Sequence, residues 1–217
     1  MNGSVIHLTT VSRPDIAYAV VKLSQYANNP NSTHMAAMKY LYRYLVGTQY
    51  LSIVYSNSEQ ELHGYSDSSY ASDPDDCKPF CGYVFFLHAG PISWRSHKQA
   101  NVALSTVEAE YTALSDSICE LLHLRQKIAE IEQTPILMNV KMFCDNQGSI
   151  TLAESEAFHR KVRHIEVRRH HVRDHIAKGD VQVIYIESEA QTADVMTKPL
   201  PKVKHQLAIQ LLGLQDV

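Results

Sequence analysis

The chain has 217 residues, of which 45% are hydrophobic and 20% are charged, and a formal net charge of −3 at pH 7. This length and apolar content suffice to bury a core and allow one domain with an appendage. Four cysteines without paired spacing exclude a disulfide scaffold and favour a reducing compartment. No apolar stretch reaches the length of a membrane span, and Met1 to Arg13 lacks the pattern of a signal peptide. The sequence therefore predicts an intracellular protein with no membrane partner.

Two helices are predicted in the N-terminal section, residues 1–55. Ile16 to Tyr26 and Met35 to Leu45 show helical periodicity, and the turn-rich segment Asn28 to Ser32 separates them. Residues 56–61 follow and are polar. This composition predicts a linker between the N-terminal section and the main part of the chain.

Five strands are predicted after the linker, separated by turns or helices. They span about Leu62 to Tyr70, Gly82 to His88, Pro91 to Ser96, 139 to 144 and 181 to 186. The first three are joined by short turns and should pair antiparallel, whereas the two that helices separate should join in parallel. The predicted fold class is therefore α/β, with a five-stranded mixed sheet flanked by helices.

Four carboxylates lie on four separate predicted elements, two strands and two helices. Asp67 and Asp145 are predicted at the ends of the first and fourth strands, Glu110 on the long helix between them, and Asp194 in a short helix after the last strand. Two divalent metal ions about 4 Å apart require such a set of acids to hold both reacting oxygens of a phosphodiester. The pattern therefore indicates a metal-dependent site.

Each acid also has an ordinary structural interpretation. Asp67 could be a solvated residue at a strand end, and Asp145 could only cap the helix that begins near Gln147. Taken singly, these are the better interpretations. The set of four favours a site, because crowded carboxylates repel each other unless a cation lies between them.

Two neighbouring glutamates compete for the helical position in this set. Ser105 to Glu108 has the spacing of a capping box, so Glu108 has an ordinary role at a helix N-terminus. Glu110 lies one turn from Val107 and Leu114, on the stripe predicted to face the sheet. The stripe favours Glu110 as the functional residue, with Glu108 as the alternative.

A basic segment runs from Phe158 to Lys178. It contains seven Lys or Arg against two acidic residues, a local charge of +5 in an acidic chain, and this predicts a polyanion partner. The candidate nucleic-acid contacts are Arg160, Lys161, Arg163, Arg168, Arg169 and Arg173. The alternative is a basic helix that is simply solvated. A zinc site at the histidines of this segment is disfavoured because no cysteine is spaced to join them.

Eight motifs occur in a fixed order along the chain. They are SRPDIAYAVVKLSQY at 12–26, HMAAMKYLYRYLVGT at 34–48, GYSDSSYASD at 64–73, GPISWRSHKQ at 90–99, LSTVEAEYTAL at 104–114, CDNQGSITLA at 144–153, RHIEV at 163–167 and TADVMTKPL at 192–200. With these motifs the chain resembles the C-terminal part of a copia-type, Pseudoviridae-like retrotransposon polyprotein. The resembling part is its ribonuclease H domain, preceded by the tail of reverse transcriptase.

The resemblance implies a ribonuclease H-like fold in residues 62–200, a remnant of the reverse transcriptase thumb or connection region in residues 1–55, and a C-terminal helix or tail in residues 201–217. It also implies that four acids hold two Mg²⁺ ions, for which Mn²⁺ could substitute. These catalytic and metal-binding residues are Asp67, Glu110, Asp145 and Asp194.

The function that the resemblance implies is an endonuclease that hydrolyses the RNA strand of RNA–DNA hybrids during reverse transcription. Its expected partners are the hybrid and the reverse transcriptase portion of the polyprotein, with no small-molecule cofactor, in the cytoplasm (in a virus-like particle), the nucleus or both. No polymerase activity is expected, because no aspartate pair occurs in the aromatic-x-Asp-Asp setting that is usual in polymerases. The alternative is an inactive or domesticated remnant that binds nucleic acid or only packs against a polymerase.

Overall fold

The computed structural model of the protein describes residues 3–56, 61–73, 75–154 and 163–217, and for residues 163–166 and 169 it describes the backbone only. In these ranges the helices are α1 (Gly3–Val11), α2 (Ala17–Ser24), α3 (Ser32–Gly47), α4 (Thr106–Glu132), α5 (Gln147–Glu154), α6 (Arg163–Ala177) and α7 (Lys202–Leu211). The strands are β1 (Leu51–Ile53), β2 (His63–Ser69), β3 (Phe80–Leu87), β4 (Gly90–Lys98), β5 (Val140–Cys144), β6 (Val181–Tyr185) and β7 (Leu214–Asp216). Short 3₁₀ helices span Pro14–Ile16, Ser188–Ala190 and Thr192–Met196.

The main sheet has five strands in the order β4-β3-β2-β5-β6. The hairpin strands β2, β3 and β4 pair antiparallel, while β5 joins β2 and β6 in parallel after helical crossovers. This arrangement confirms the predicted fold class, including the three antiparallel strands followed by two parallel ones. Because β2 and β5 are parallel neighbours, their C-terminal ends meet at the same edge of the sheet.

Strand β3 lies near the centre of the sheet and is buried on both faces. Its side chains alternate, so that Tyr83 and Phe85 belong to one core and Val84 and Phe86 to the other. The first core contains α4, which contributes Leu114 and its neighbours at helical spacing. A strand buried on both faces is continuously apolar, and this explains why the sequence of β3 lacks the alternation of a half-buried strand.

The N-terminal section packs against the second face of the sheet. Ala17 of α2 belongs to the core on this face. The indole N–H of Trp94 in β4 donates to the carbonyl of Thr9 in α1. The ammonium of Lys22 lies 2.8 Å from the buried carboxylate of Asp73, which follows β2. In addition β1 pairs antiparallel with β7, so that the end of the N-terminal section and the C-terminal end of the chain form a small second sheet.

The predicted helices of the N-terminal section are observed with small differences at their ends. The segment predicted as one helix from Ile16 is a 3₁₀ turn at Pro14–Ile16 followed by α2, and α3 begins earlier than predicted because Asn31 caps it. The division at residues 56–61 stays a prediction, and residues 57–60 lie outside the described ranges. Across the described ranges, every helix is either too short or too polar to cross a membrane.

Candidate active site

Three carboxylates meet at the edge where β2 and β5 end. Asp67 lies near the C-terminal end of β2, and Asp145 follows the final residue of β5 directly. Asp194 reaches the same place from the 3₁₀ helix Thr192–Met196. One carboxylate oxygen of each residue lies within 4.8 Å of those of the other two. We call Asp67, Asp145 and Asp194 the acidic cluster.

The position of Asp194 is fixed by contacts between its 3₁₀ helix and the sheet. The side-chain amide of Gln191 donates to the carbonyl of Ser66 in β2 at 3.0 Å, and its oxygen accepts from the backbone N–H of Ala193. The 3₁₀ helix also packs closely against β3 at Gly82. A Cβ added to this glycine would clash with the Cβ of Met196 in the 3₁₀ helix. Glycine is therefore required at this point of β3 for the approach.

Glu110 lies beside the acidic cluster and is 6% exposed. Its Oε1 accepts a hydrogen bond of 3.2 Å from the backbone N–H of Ser68, the residue after Asp67, and its Oε2 has no partner among the described residues. Burial raises the pKa of Glu110 well above its usual value, and the charges of Asp67 and Asp145 raise it further. An unpartnered buried carboxylate oxygen is costly unless a ligand or cation completes its coordination.

Glu108 has the capping role that the sequence predicts. The hydroxyl of Ser105 accepts from the backbone N–H of Glu108, and the carboxylate of Glu108 accepts from the backbone N–H of Leu104 at 2.8 Å. In an ideal capping box the glutamate carboxylate accepts from the backbone N–H of the cap residue, which is Ser105 here. In this helix the carboxylate of Glu108 accepts from the preceding residue, Leu104, instead. The geometry places Glu110 beside the acidic cluster and Glu108 at the start of α4.

The acidic cluster is electrostatically crowded. Burial raises the pKa of Asp67 to about 7, although the charge of Lys198 acts in the opposite direction. Burial also raises the pKa of Asp194, against the hydrogen bond from Lys198. The Thr197 hydroxyl donates to Asp67, and the Ser188 hydroxyl donates to Asp145 at 2.7 Å. Oxygen donors in this number and type suit a hard divalent cation such as Mg²⁺.

Comparison with known proteins gives relatives for almost the whole chain. The retrovirus-related Pol polyprotein from transposon TNT 1-94 of Nicotiana tabacum is 35% identical over 214 residues, which are 99% of this chain and 16% of that polyprotein. The chain belongs to the family of copia-type retrotransposon Pol polyproteins. It spans about a sixth of the length of this relative.

Two further comparisons concern parts of the chain. The secreted RxLR effector protein 161 of Plasmopara viticola is 43% identical over 123 residues, 56% of this chain and 87% of that protein. RNase H1 from the halophilic archaeon Halobacterium salinarum NRC-1 is 14% identical with a TM-score of 0.45, and the match covers 63% of this chain and 93% of that structure. No protein-family model matches the chain. The assignment to the retrotransposon family therefore depends on the sequence relatives.

In this family member the structure places the four predicted acids together, with three in the acidic cluster and Glu110 beside it. Sequence reasoning assigned no role to Lys198 and Thr197, which contact the cluster and belong to the motif TADVMTKPL. The spacing of four residues between Asp194 and Lys198 could have predicted their ion pair, since oppositely charged side chains at this spacing meet on one side of a helical turn. The contact of Thr197 with Asp67 had no such signal.

The basic segment is described in part. Arg160 and Lys161 lie outside the described residues, and the side chains of Arg163 and Arg169 are not described. Arg173 is half-buried on α6. Val172 and Ile176 of α6 face inward and pack in the core that α4 contributes to. The nucleic-acid contacts of this segment stay predictions.

Arg168 connects α6 to α4. Its guanidinium donates to the carboxylate of Asp116 at 2.7 Å and to the carbonyl of Thr112 at 3.3 Å. Asp116 is also in contact with His97 of β4. Burial acts to raise the pKa of Asp116, but the hydrogen bond from His97 and the charge of Arg168 outweigh it, so the pKa lies below its usual value. Arg168 therefore helps to hold the basic helix in place.

Proposed function

We propose that this part of the polyprotein is a ribonuclease H that hydrolyses the RNA strand of RNA–DNA hybrids with the help of two divalent metal ions. The observation that carries the proposal is the convergence of Asp67, Asp145 and Asp194, whose carboxylate oxygens lie within 4.8 Å of one another. Three acids from separate elements at one sheet edge have a high electrostatic cost, and a functional cation is the simplest compensation for it.

Four residues of the chain fit the role of metal ligands. They are Asp67, Glu110, Asp145 and Asp194, and all of them offer hard oxygen donors. The unpartnered Oε2 of Glu110 supports this fit, because a bound cation or its water would satisfy it. When bound, two Mg²⁺ ions supply the charge that activates a water nucleophile and neutralises the departing oxygen. Mn²⁺ has similar ligand preferences and is expected to substitute.

The residues around the acids orient them for this role. Ser188 and Thr197 donate to Asp145 and Asp67, and the backbone N–H of Ser68 fixes one oxygen of Glu110. Such outer partners hold carboxylates in a geometry suited to cation binding. With the ions supplying the charge, hydrolysis by water needs no covalent enzyme intermediate, and the expected products carry 3′-hydroxyl and 5′-phosphate ends.

An RNA–DNA hybrid is the substrate that we propose. The local charge of +5 between Phe158 and Lys178 supports binding of a phosphate backbone. Phosphate contacts position a duplex without selecting it, so selectivity for a hybrid must come from 2′-hydroxyl groups and groove shape. The family assignment supports a role in reverse transcription, with action in cytoplasmic virus-like particles, the nucleus or both.

The reverse transcriptase portion of the polyprotein is the protein partner that we propose. Large side chains of α3 and the turn after it, such as Tyr40, Val46 and Tyr50, are exposed in the N-terminal section. Exposed apolar side chains on one segment are typical of a surface that a neighbouring domain covers. No polymerase activity is proposed for this chain.

The test is a cleavage assay on a hybrid labelled on its RNA strand. We expect cleavage with Mg²⁺ or Mn²⁺ and none with Ca²⁺, whose longer and looser coordination misplaces the nucleophile. Duplex RNA and duplex DNA of the same sequence serve as controls. Cleavage that persists in excess chelator would contradict the metal mechanism, and absence of cleavage with every metal would favour an inactive remnant.

A further inference from the structure

Lys198 places an ammonium group between the acids of the site. Its Nζ lies 2.6 Å from Oδ1 of Asp194 and 3.8 Å from Oδ2 of Asp67. A lysine ammonium with carboxylates this near is a cation over the whole physiological pH range.

The backbone holds this lysine at the site. The N–H of Lys198 donates to the carbonyl of Asp194 at 3.2 Å, which closes a turn directly after the 3₁₀ helix. Both residues therefore project from one turn toward Asp67. The side chain of Lys198 is 37% exposed, so its flexible stem can move toward solvent without opening the core.

Charge balance gives the ammonium a specific role. Asp67, Asp145, Asp194 and the adjacent Glu110 repel each other. In the described part of the chain, Lys198 is in ion-pair contact with two of these acids, Asp194 and Asp67. A single positive charge offsets this repulsion only in part. A divalent ion held by Asp194 would offset it better, and it would compete with Lys198 for the negative charge of that carboxylate.

We propose that Lys198 is a built-in counter-ion of the acidic cluster that stabilises the metal-free site and competes with the divalent cation for Asp194. This inference rests on the proposed metal-dependent function. Binding of the cation then displaces the ammonium from Asp194 toward solvent, so the measured metal affinity includes the cost of breaking an ion pair. Lys198 therefore sets the concentration of metal at which the site fills.

Calorimetric titration of Mn²⁺ or Mg²⁺ into the protein without nucleic acid tests the competition. For Lys198→Gln we expect the dissociation constant to fall by about three- to tenfold, the range for removal of a partly exposed ion pair and one nearby charge. Lys198→Arg keeps the charge and should bind no more tightly than the native protein. Lys202→Gln removes an exposed charge outside the site and should leave the affinity unchanged.

Thermal unfolding, measured first in chelator and then with added Mn²⁺, provides a readout that does not depend on catalytic activity. Lys198→Gln should melt at a lower temperature than the native protein in chelator and should gain more than the native protein does when Mn²⁺ is added. A lysine with a purely local packing role would not change the size of this metal-dependent gain.

The outcomes separate the two proposals. If the native protein and Asp145→Asn both fail to bind the metal, the proposed function fails and this inference fails with it. If the native protein binds the metal and Lys198→Gln binds it with equal or lower affinity, the function stands and the competition is excluded. Tighter binding by both Lys198→Gln and Lys198→Arg would also exclude it, because the charge would then be irrelevant.

Discussion

Two regions of this molecule differ in how many basic side chains surround their carboxylates. In the acidic cluster, Asp67 has a pKa raised to about 7 by burial, and Lys198 is the cation beside it. Between α4 and α6, each carboxylate has two basic partners, and we call this set the interhelix network. It consists of Asp116 with His97 and Arg168, and Asp180 with Arg125 and His175.

The pKa values in the interhelix network move in the other direction. Burial acts to raise the pKa of Asp180, but hydrogen bonds from His175 and Arg125 outweigh it, and the pKa lies below its usual value. The contrast shows that burial alone does not decide whether a carboxylate stabilises the fold. Carboxylates paired with basic side chains contribute to the stability of the fold. Carboxylates with too few basic partners are expected to bind a metal cation.

The largest expected effect is the loss of catalysis on neutralising the acidic cluster. Asp145→Asn keeps the size of the side chain and removes a ligand charge, so cleavage of the labelled hybrid should fall by about a hundredfold or more, since even partners of metal ligands are worth 10–100-fold. Circular dichroism should show an unchanged fold. Asp174→Asn, in an exposed ion pair with Lys178, is the matched control and should retain activity. Full activity of Asp145→Asn would separate the cluster from catalysis.

The two glutamates of α4 provide a second comparison within the site. Glu110→Gln should reduce cleavage by about ten- to a hundredfold through weaker metal binding. Glu108→Gln should leave the rate per folded molecule within about twofold and cost at most about 1 kcal/mol of stability, because it weakens only a helix cap. Rates and urea unfolding of both variants check this. The reverse ranking of rates would assign the functional role to Glu108.

The interhelix network should respond in stability rather than in catalysis. Arg125 is 3% exposed and its guanidinium lies 2.9 Å from Asp180. Arg125→Met should lower the free energy of unfolding by about 2 kcal/mol, because it leaves the half-buried carboxylate of Asp180 with one partner fewer. Lys127→Met, exposed on the same helix, should cost less than about 0.5 kcal/mol. Urea unfolding measures both, and equal costs would show that the pair contributes nothing.

The basic segment should affect binding more than chemistry. Changing Arg160, Arg163 and Arg169 to Gln should weaken hybrid binding and reduce its salt dependence by about one unit of slope for each phosphate group that the protein no longer neutralises. Turnover at saturating substrate should change little, since these side chains would bind phosphates equally in the ground and transition states.

A control for this triple variant removes the same charge elsewhere. Lys39, Lys127 and Lys202 are exposed and lie outside the basic segment. Changing all three to Gln should leave the salt dependence of binding unchanged. If the two triple variants behave alike, the basic segment is only a solvated helix.

The smallest expected effect concerns acid stability. Because the pKa of Asp180 is lower in the folded than in the unfolded chain, its stabilisation is present above the unfolded value of about 4 and is lost as pH falls through the folded value. Asp180→Asn should therefore show a flatter decline of stability below about pH 4 than the native protein. Thermal melting between neutral and acid pH measures this. Identical slopes in the two proteins would exclude Asp180 as a contributor.

Sequence periodicity predicted most of the fold but missed its short pairings. The five strands of the main sheet and the helix stripe through Leu114 were predicted, because alternation and helical spacing report which side chains face a core. The pairing of β1 with β7 was not predicted. Each strand has three residues, too few for a period, and the partners are separated by most of the chain.

The sequence by itself determined which residues could serve as ligands. Asp67 and Asp145 were predicted at the ends of the first and fourth strands, but the observed strand order β4-β3-β2-β5-β6 is what brings these two ends to one edge of the sheet. The tertiary structure decided how these acids are compensated. Lys198 and Thr197 reach the cluster because the 3₁₀ helix of Asp194 packs directly on Gly82, and such an approach depends on contacts between distant elements that no local pattern encodes.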